Sequence, residues 1–423
     1  MRQGTEAGAR TFECPMRGSA VSGTLDLRGG RSVWDALSGH PAVSSRLTES
    51  LHSRILIIGS GITGSFMAER LSRFTSSIIV VDRHRPQTAS TAASTSLLQW
   101  ELDTPLRDLS VRLGASRAAA IYRAGALAVS EIVDLSRTLG IACQCAGRPS
   151  LYVAGNRLGP DELEDEQRQR EAAGLASAYV GATELQRSFG LAGAAALYSE
   201  GAAEANPVAL ARGLMAKALE RGARLLHPEM VTDYDPGPRG ACVLTASGHE
   251  LSADILVLAN GYEMPGFVPA VIHRVLSTWA LATEPGASSW PRNALIWEAS
   301  SPYLYARHDA EGRIIVGGED ERLTDAGLRD ERIPAKIAAI RRKFRRLHPR
   351  FCGKTEFAWA GFFGVTDDGL PLIGPLPGHP RIFAAFGYGG NGITFSAMAA
   401  GLIAKAIHGQ ADPLLDCFAV DRS

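Results

Sequence analysis

The sequence predicts an α/β fold in which a parallel sheet is gathered from the start, middle and end of the chain, with an antiparallel α+β region inserted between the pieces. Three observations carry this. Arg54-Ile-Leu-Ile-Ile-Gly-Ser-Gly-Ile-Thr-Gly64 followed by Ile78-Ile-Val-Val-Asp82 reads as strand, glycine turn, helix start and second strand. Ile255-Leu-Val-Leu-Ala-Asn-Gly261 is another continuous apolar run, the mark of a strand buried on both faces. Val275–Thr283, Tyr303–Ala306 and Arg313–Val316 alternate instead, the last two joined through Asp309-Ala-Glu-Gly312, as antiparallel strands do.

The elements follow in order. Helical periodicity runs from the glycine turn through Phe66, Met67, Leu71 and Phe74, and Arg107–Leu139 reads as one or two helices. The stretch from Cys145 to Leu197 is mixed, with a short strand at Ser150–Val153 and a charged helix over Asp161–Ala173. Asn206-Pro207 opens a helix with a side-chain cap and proline in the first turn, and Gly222 closes it. Arg224-Leu-Leu is a strand, and Cys242–Ala246 pairs with Glu250-Leu-Ser around Ser247-Gly248. Pro334–Leu347 is a helix with Ile337, Ile340, Phe344 and Leu347 on one face. Its run of arginines is therefore an outer solvated face rather than a nucleic-acid surface. Ile382–Ala385 is a strand, Phe386–Gly392 a glycine loop, and Ile393–His408 a helix stopped by Gly409.

Lys plus Arg and Asp plus Glu both number 44, so no global charge draws the chain to nucleic acid or an anionic membrane. A length of 423 residues implies two intertwined domains. Six cysteines without a secretory signal point to reduced thiols and a cytoplasmic protein, and Cys143-Gln-Cys145 lacks the partners of a metal site. No apolar run is long enough to span a bilayer. Residues 1–50 are expected to be a partly disordered extension, with Met16 a possible start.

The first glycine motif indicates a bound dinucleotide. Gly59 permits the turn, Gly61 lets the backbone approach a pyrophosphate, and Gly64 lets the helix pack against the sheet. Amides of the helix start, at Ile62 and Thr63, face the phosphates with the positive end of the helix dipole. Asp82, with Arg83 after it, stands where a carboxylate takes the adenosine ribose hydroxyls and disfavours a 2′-phosphate.

Four stretches together resemble the D-amino-acid oxidase, glycine oxidase and sarcosine oxidase (DAO) superfamily of FAD enzymes. They are Gly59–Gly64 with Asp82, Ser90-Thr-Ala-Ala-Ser-Thr95, Ile255–Gly261, and the tail Gly361–Gly374 with Gly387-Tyr-Gly-Gly-Asn-Gly-Ile-Thr394. The resemblance spans roughly residues 50–420 and implies a Rossmann-like FAD-binding domain of the glutathione-reductase type. That domain is expected over 51–145, 198–265 and 355–423, and an α+β substrate domain on an antiparallel sheet over 146–197 and 266–354. By the same resemblance, Ser90, Thr91 and Ser94 run beside the flavin, the backbone of Val231 meets the adenine, and Gly261 ends the cofactor strand. Gly389, Gly390, Asn391, Gly392 and Thr394 are expected to bring backbone amides to the flavin pyrimidine edge, where a helix N-terminus stabilises negative charge.

Two departures bear on chemistry. Phe363 stands where related amino-acid oxidases carry a carboxylate-binding arginine, and Gly361 where sarcosine-oxidase-like members carry a flavin-linking cysteine. Noncovalent FAD is expected. Arg307, beside Tyr303 and Tyr305, is a candidate replacement anchor or a partner of Asp309 or Glu319, and Glu319-Asp320 reads as a solvated strand end or as carboxylates that meet a substrate amine. Phe362, Phe363 and Tyr305 are expected over the flavin. The implied reaction is hydride transfer from a carbon bearing nitrogen to flavin N5, on a small amine or amino acid, with oxygen or a quinone-type carrier as the electron acceptor. A hydroxy-acid or polyol dehydrogenase and a noncatalytic electron-transfer component are the alternatives. Oligomeric state is left open.

Overall fold

The structure is a computed structural model and describes residues 25–39, 42–237, 239–268, 274–287 and 290–422. Among them, one sheet runs Leu372–Leu376, His379–Phe386, Glu250–Leu258, Leu51–Ile58, Ile78–Val81, Arg224–Leu226, and the four pairings inward from His379–Phe386 are parallel. Their near-uniform Ile, Leu and Val content is explained by cover on both faces: Ile55 and Ile57 pack with Phe66, Met67 and Leu214, whereas Leu56 and Ile58 pack with Leu226, Tyr234 and Met264. Gly240–Thr245 extends the sheet by antiparallel pairing with Glu250–Leu258, and Val231–Gly237 pairs antiparallel with Gly240–Thr245 in turn.

The second sheet is ten-stranded. Its path is Arg28–Arg31, Thr355–Val365, Arg274–Thr283, Ile314–Glu321, Leu304–His308, Leu295–Glu298, Ala146–Val153, Ala195–Glu204, Leu97–Leu98, with Ser177–Gly181 also on Ala195–Glu204. The helix Ile333–Leu347 lies on this sheet and buries Ile337, Ile340, Phe344 and Leu347, as its apolar stripe requires.

Several expectations are corrected. Thr355–Val365 and the strand containing residues 198–204 belong to the second sheet, although their stretches were assigned to the cofactor part. The alternation of the Gly361 motif, hidden by its glycines, is what pairs it with Arg274–Thr283. The extension is structured from residue 28: Arg28–Arg31 pairs with Ala358–Gly361, and the helix Val33–Leu37 buries Trp34, capped by Ser32. Residues 1–24 and Cys14 lie outside the described residues. Phe74 follows the end of its helix and is exposed, its ring edge-on to His408 at 4.4 Å. Arg107–Leu139 is two helices, Leu106–Leu113 and Ala115–Thr138, broken at Gly114 with φ 82°. Asn206 caps as expected, its Oδ1 accepting from the amides of Val208 and Ala209 at 3.1 and 3.0 Å. No described helix is long and apolar enough to cross a membrane.

Candidate active site

A cavity of about 290 Å³ opens where the carboxyl ends of the parallel strands meet the second sheet. One end is nucleotide-like. Gly59 has φ 102°, and a Cβ there would lie 2.5 Å from the Ala259 carbonyl oxygen. A Cβ on Gly64 would lie 1.8 Å from the Gly59 oxygen, so Gly64 acts by packing and does not line the cavity. The helix Ile62–Leu71 starts at Gly61 with no side-chain cap, while Ile62 donates its amide to Thr91 Oγ1 at 2.9 Å. Thr63, also on the cavity wall, bonds Ser396 at 2.8 Å.

Asp82 lines the cavity and is already engaged. Its Oδ2 accepts from the Ser60 amide and hydroxyl at 2.7 and 2.6 Å, and its Oδ1 from the His84 amide at 2.9 Å. These bonds fix the carboxylate at the strand end. Arg83 pairs with Glu263 at 2.5 Å. Ser90, Thr91, Ser94, Val231 and Gly261 all reach the cavity wall.

The fit to a large polar cofactor is tested by what the wall leaves unpaired. Gln87 Oε1 and Gln99 Nε2 are buried without a protein partner on residues that line this cavity. Such groups are costly unless a ligand or water completes them. Together with the glycine cradle they suit a dinucleotide lying along the cleft. The helix Gly392–Ile407 likewise starts toward the cavity without a side-chain cap.

Within the second glycine loop the expectation needs correcting. The Gly390 amide donates to Asp103 Oδ2 at 2.8 Å, so it is occupied by the protein. Asn391 Nδ2 donates to the carbonyls of Gln99 and Glu101 at 3.1 and 2.8 Å, and Thr394 Oγ1 to Gln99 at 2.9 Å. Thr394 is outside the cavity lining, and its hydroxyl braces the loop against residues 99–103. Gly389, Gly390, Asn391 and Gly392 remain on the wall.

The other end of the cavity is formed by Asp103, Thr278, Trp297, Tyr303, Tyr305 and Phe363. Tyr303, just before the strand Leu304–His308, and Tyr305 on it lie side by side, ring centroids 5.3 Å apart. Gly317 on the neighbouring strand makes room for the Tyr305 ring, since a Cβ there would lie 2.4 Å from it. Tyr305 OH and Thr278 Oγ1 are 3.2 Å apart. Phe362 also contributes to the wall, but its ring sits under the Arg329 guanidinium at 4.4 Å. Strand alternation gives Phe363 the cavity face and Phe362 the helix face.

Arg307 does not reach the cavity. It is 2% exposed, and its guanidinium donates to the Thr95 and Ala205 carbonyls at 2.7 and 3.0 Å and pairs with Glu204 at 3.2 Å, so neither Asp309 nor Glu319 is its close partner. Buried away from the cavity wall and held by three fixed acceptors, this cation is not placed to take a substrate carboxylate. It ties the antiparallel strand to the segment at Thr95.

Sequence reasoning missed Asp103 and misjudged Asp320. Asp103 carries no motif; only the fold brings it to Gly390, and burial raises its pKa against the opposing Gly390 amide and Arg157. Asp320 reads from sequence as part of a solvated strand end, with contact to a substrate amine as the alternative. Ser277 pairs with Glu321 and Trp279 with Gly318, so Glu319 and Asp320 together oppose Thr278 as a β-bulge, with Glu319 at φ 62°. The bulge sends Glu319 toward Lys336 and Lys343 and turns Asp320 onto Thr278. Burial, partly offset by the Thr278 hydrogen bond, pushes the Asp320 carboxyl up to about 7.

The stability consequence has a definite sign. Between the ordinary carboxylate value of 3.8 and about 7 the folded state keeps a proton that the unfolded chain has released. Stability is therefore lost as pH rises through that window. Asp320→Asn should melt above the parent at pH 8 by on the order of 2 °C, with the gap closing toward pH 4. Equal melting temperatures at both pH values would remove the buried carboxylate from this role.

Comparison with known proteins agrees with the geometry. Gamma-glutamylputrescine oxidoreductase of Escherichia coli (strain K12) is 24% identical over 403 residues, covering 92% of this chain and 91% of that protein. The fold matches L-proline dehydrogenase from P. horikoshii with TM-score 0.74 at 18% identity, covering 89% and 98% of the two chains. It matches glycine oxidase from Geobacillus kaustophilus with TM-score 0.73 at 17% identity, covering 88% and 99%. The family model for FAD-dependent oxidoreductases (DAO) matches residues 54–406, a span that holds both glycine loops, the Asp82 strand end and both sheets around the cleft, and the chain belongs to that family.

Proposed function

We propose that this FAD-dependent oxidoreductase oxidises a carbon–nitrogen bond of an amine or amino acid. The observation that carries the reading is the distribution of charge along the cleft. Its arginines, Arg83 and Arg85, follow the second parallel strand, whereas the far end is aromatic with Asp103 among the rings. Among the described lining residues that end has no histidine to act as base toward an alcohol, the group a carbon–oxygen oxidation would call for. The relatives' names point the same way: glutamylputrescine, glycine and L-proline are nitrogen compounds.

Bound FAD supplies the hydride acceptor, and Gly59, Gly61, Ile62, Thr63, Asp82, Ser90, Thr91, Ser94, Val231, Gly261 and Gly389–Gly392 are the residues that would hold it. The chain's own part is position and exclusion of water. Tyr303, Tyr305 and Phe363 wall the reacting carbon, and the Asp103 bridge to Gly390 fixes the loop between substrate and cofactor. Anaerobic mixing with amines, amino acids and hydroxy acids tests the reading: nitrogen compounds should bleach the flavin. Bleaching by hydroxy acids alone would overturn it, and bleaching by none would favour a noncatalytic flavoprotein.

FAD attachment is proposed to be noncovalent. None of the described cysteines lines the cavity, and a side chain at Gly361 would meet Ala93, its Cβ 2.6 Å from that of Ala93. Acid precipitation should leave the yellow colour in the supernatant; colour in the pellet would contradict this.

A further inference from the structure

We propose that the aromatic end of the cavity receives an ammonium cation whose carbon bears no carboxylate, with Asp103 facing the charge and Asp320 taking its proton through Thr278 and Tyr305. The inference rests on the amine reading above and narrows it.

Four observations carry it. Asp103 lines both the main cavity and a side cavity of about 30 Å³ that continues past Trp297 and Tyr303 to Tyr152, and the Tyr152 and Trp297 rings are stacked 3.8 Å apart. Aromatic faces beside a carboxylate are a cation's surroundings. A carboxylate oxygen is also left over: Glu101, 1% exposed and on the cavity wall, has Oε2 without a partner. Unpaired acceptors of this kind are matched by a donor-rich ligand, which an ammonium is and a carboxylate is not.

Thirdly, Thr278 and Tyr305 line the cavity with hydroxyls 3.2 Å apart, and Thr278 also bonds Asp320 behind them. The charged groups facing Asp320 are Asp103 across the cavity, Lys336 from the helix and Glu319 on its own strand, and Tyr303 and Tyr305 lie beside it. Asp103 opposes its ionisation and Lys336 favours it, so an arriving cation eases the loss of its proton. Fourthly, a bulge with a non-glycine residue at positive φ aims Asp320 here, and such bulges re-aim side chains beside active sites. Arg157 and Glu298 also line the side cavity, a cation beside a carboxylate, and Arg157 is exposed with its Nη1 donating to the Asp103 carbonyl at 3.4 Å.

The proton balance is simple. The substrate N–H bond breaks, a hydroxyl of the Tyr305–Thr278 pair takes that proton and passes its own to Asp320, and this leaves the neutral amine, the form whose carbon would give up a hydride once FAD is bound. Asp320 must start ionised, so amine oxidation should rise as pH passes about 7.

Butylamine and 2-aminopentanoate differ by the carboxylate alone and make the test. With the FAD-loaded protein under anaerobic conditions, butylamine should half-saturate flavin bleaching at about one tenth the concentration needed by 2-aminopentanoate, or lower. Calorimetric titration in the same buffers reports binding without turnover and should give the same order. Asp320→Asn should slow bleaching by butylamine about a hundredfold at pH 8 and flatten its rise through neutral pH. Asp320→Glu should restore part of both, and Thr278→Val, which cuts the link without touching the charge, should also flatten the profile. Preference for 2-aminopentanoate would overturn the inference and leave the amine or amino-acid reading standing. A parental pH profile in both Asp320→Asn and Thr278→Val would overturn the proton route, and bleaching by hydroxy acids alone would remove both readings.

Discussion

Gly64→Ala is expected to yield no stable yellow protein. The added methyl would sit 1.8 Å from the Gly59 carbonyl oxygen, a backbone atom of the turn itself. That turn cannot retreat, because Gly59 donates its amide to Val81 at 2.8 Å and is closed on its other side by Ala259 and Asn260. Overpacking usually costs about 1–3 kcal/mol when side chains can move, and a clash between a helix and its own entry turn should exceed that. Gly61→Ala is the control. Its Cβ would meet only Thr91 Oγ1 at 3.3 Å, so the variant should fold near the parent's melting temperature and lose FAD affinity instead. Soluble yield, melting temperature and flavin content measure the contrast; a Gly64→Ala protein that melts within about 2 °C of the parent would refute the packing role.

The glycine turn was legible because each of its residues answers a local need. Backbone conformation, the helix start and the strand-end carboxylate are all set within about thirty residues, and the apolar runs beside them can only be strands covered on both faces. The tail motif was legible by resemblance. Its strand was not, since Gly361 and Gly364 break the alternation that marks Arg274–Thr283, and only pairing with that strand shows which phenylalanine faces the cavity.

The substrate end was hidden for a different reason. Asp103 and Gly390 are 287 residues apart in the chain, and no spacing rule connects them. Arg307 misled because an arginine on a strand beside two tyrosines looks available, whereas Glu204 and two carbonyl groups consume it. Asp320 was hidden because a strand end gives no sign of a bulge, and the extra residue opposite Thr278 turns Asp320 onto that side chain. Register errors of this kind move charge from solvent to a site.

Arg170→Ala is expected to produce the second large loss, and the charged helix Pro160–Ala172 is where sequence pattern is least informative. Glu166 and Arg170 look like an exposed pair one turn apart, yet both are fully buried. Arg170 Nε donates to Glu166 Oε1 at 2.8 Å and Nη1 to Glu101 Oε1 at 3.4 Å, with the Trp100 ring 5.2 Å away. Burial alone would lower the Arg170 pKa, but Glu166 and Glu101 outweigh it and hold the cation. Glu166 in turn takes the amides of Leu106 and Arg107 at 3.1 and 2.9 Å, and Ser150 donates to Glu101. The triad thus fixes the segment from Gln99 to Arg107, which carries Asp103 and braces the second glycine loop. Alanine would leave two buried carboxylates facing each other, a loss of about 3–5 kcal/mol. The melting temperature should drop, and flavin should be released more readily because the loop loses its brace. Arg170→Met combined with Glu101→Gln and Glu166→Gln removes the charges together and should recover much of the stability. If the triple variant melts no higher than Arg170→Ala, the cost lies in packing against Trp100 and Tyr152 and the stranded-charge account fails.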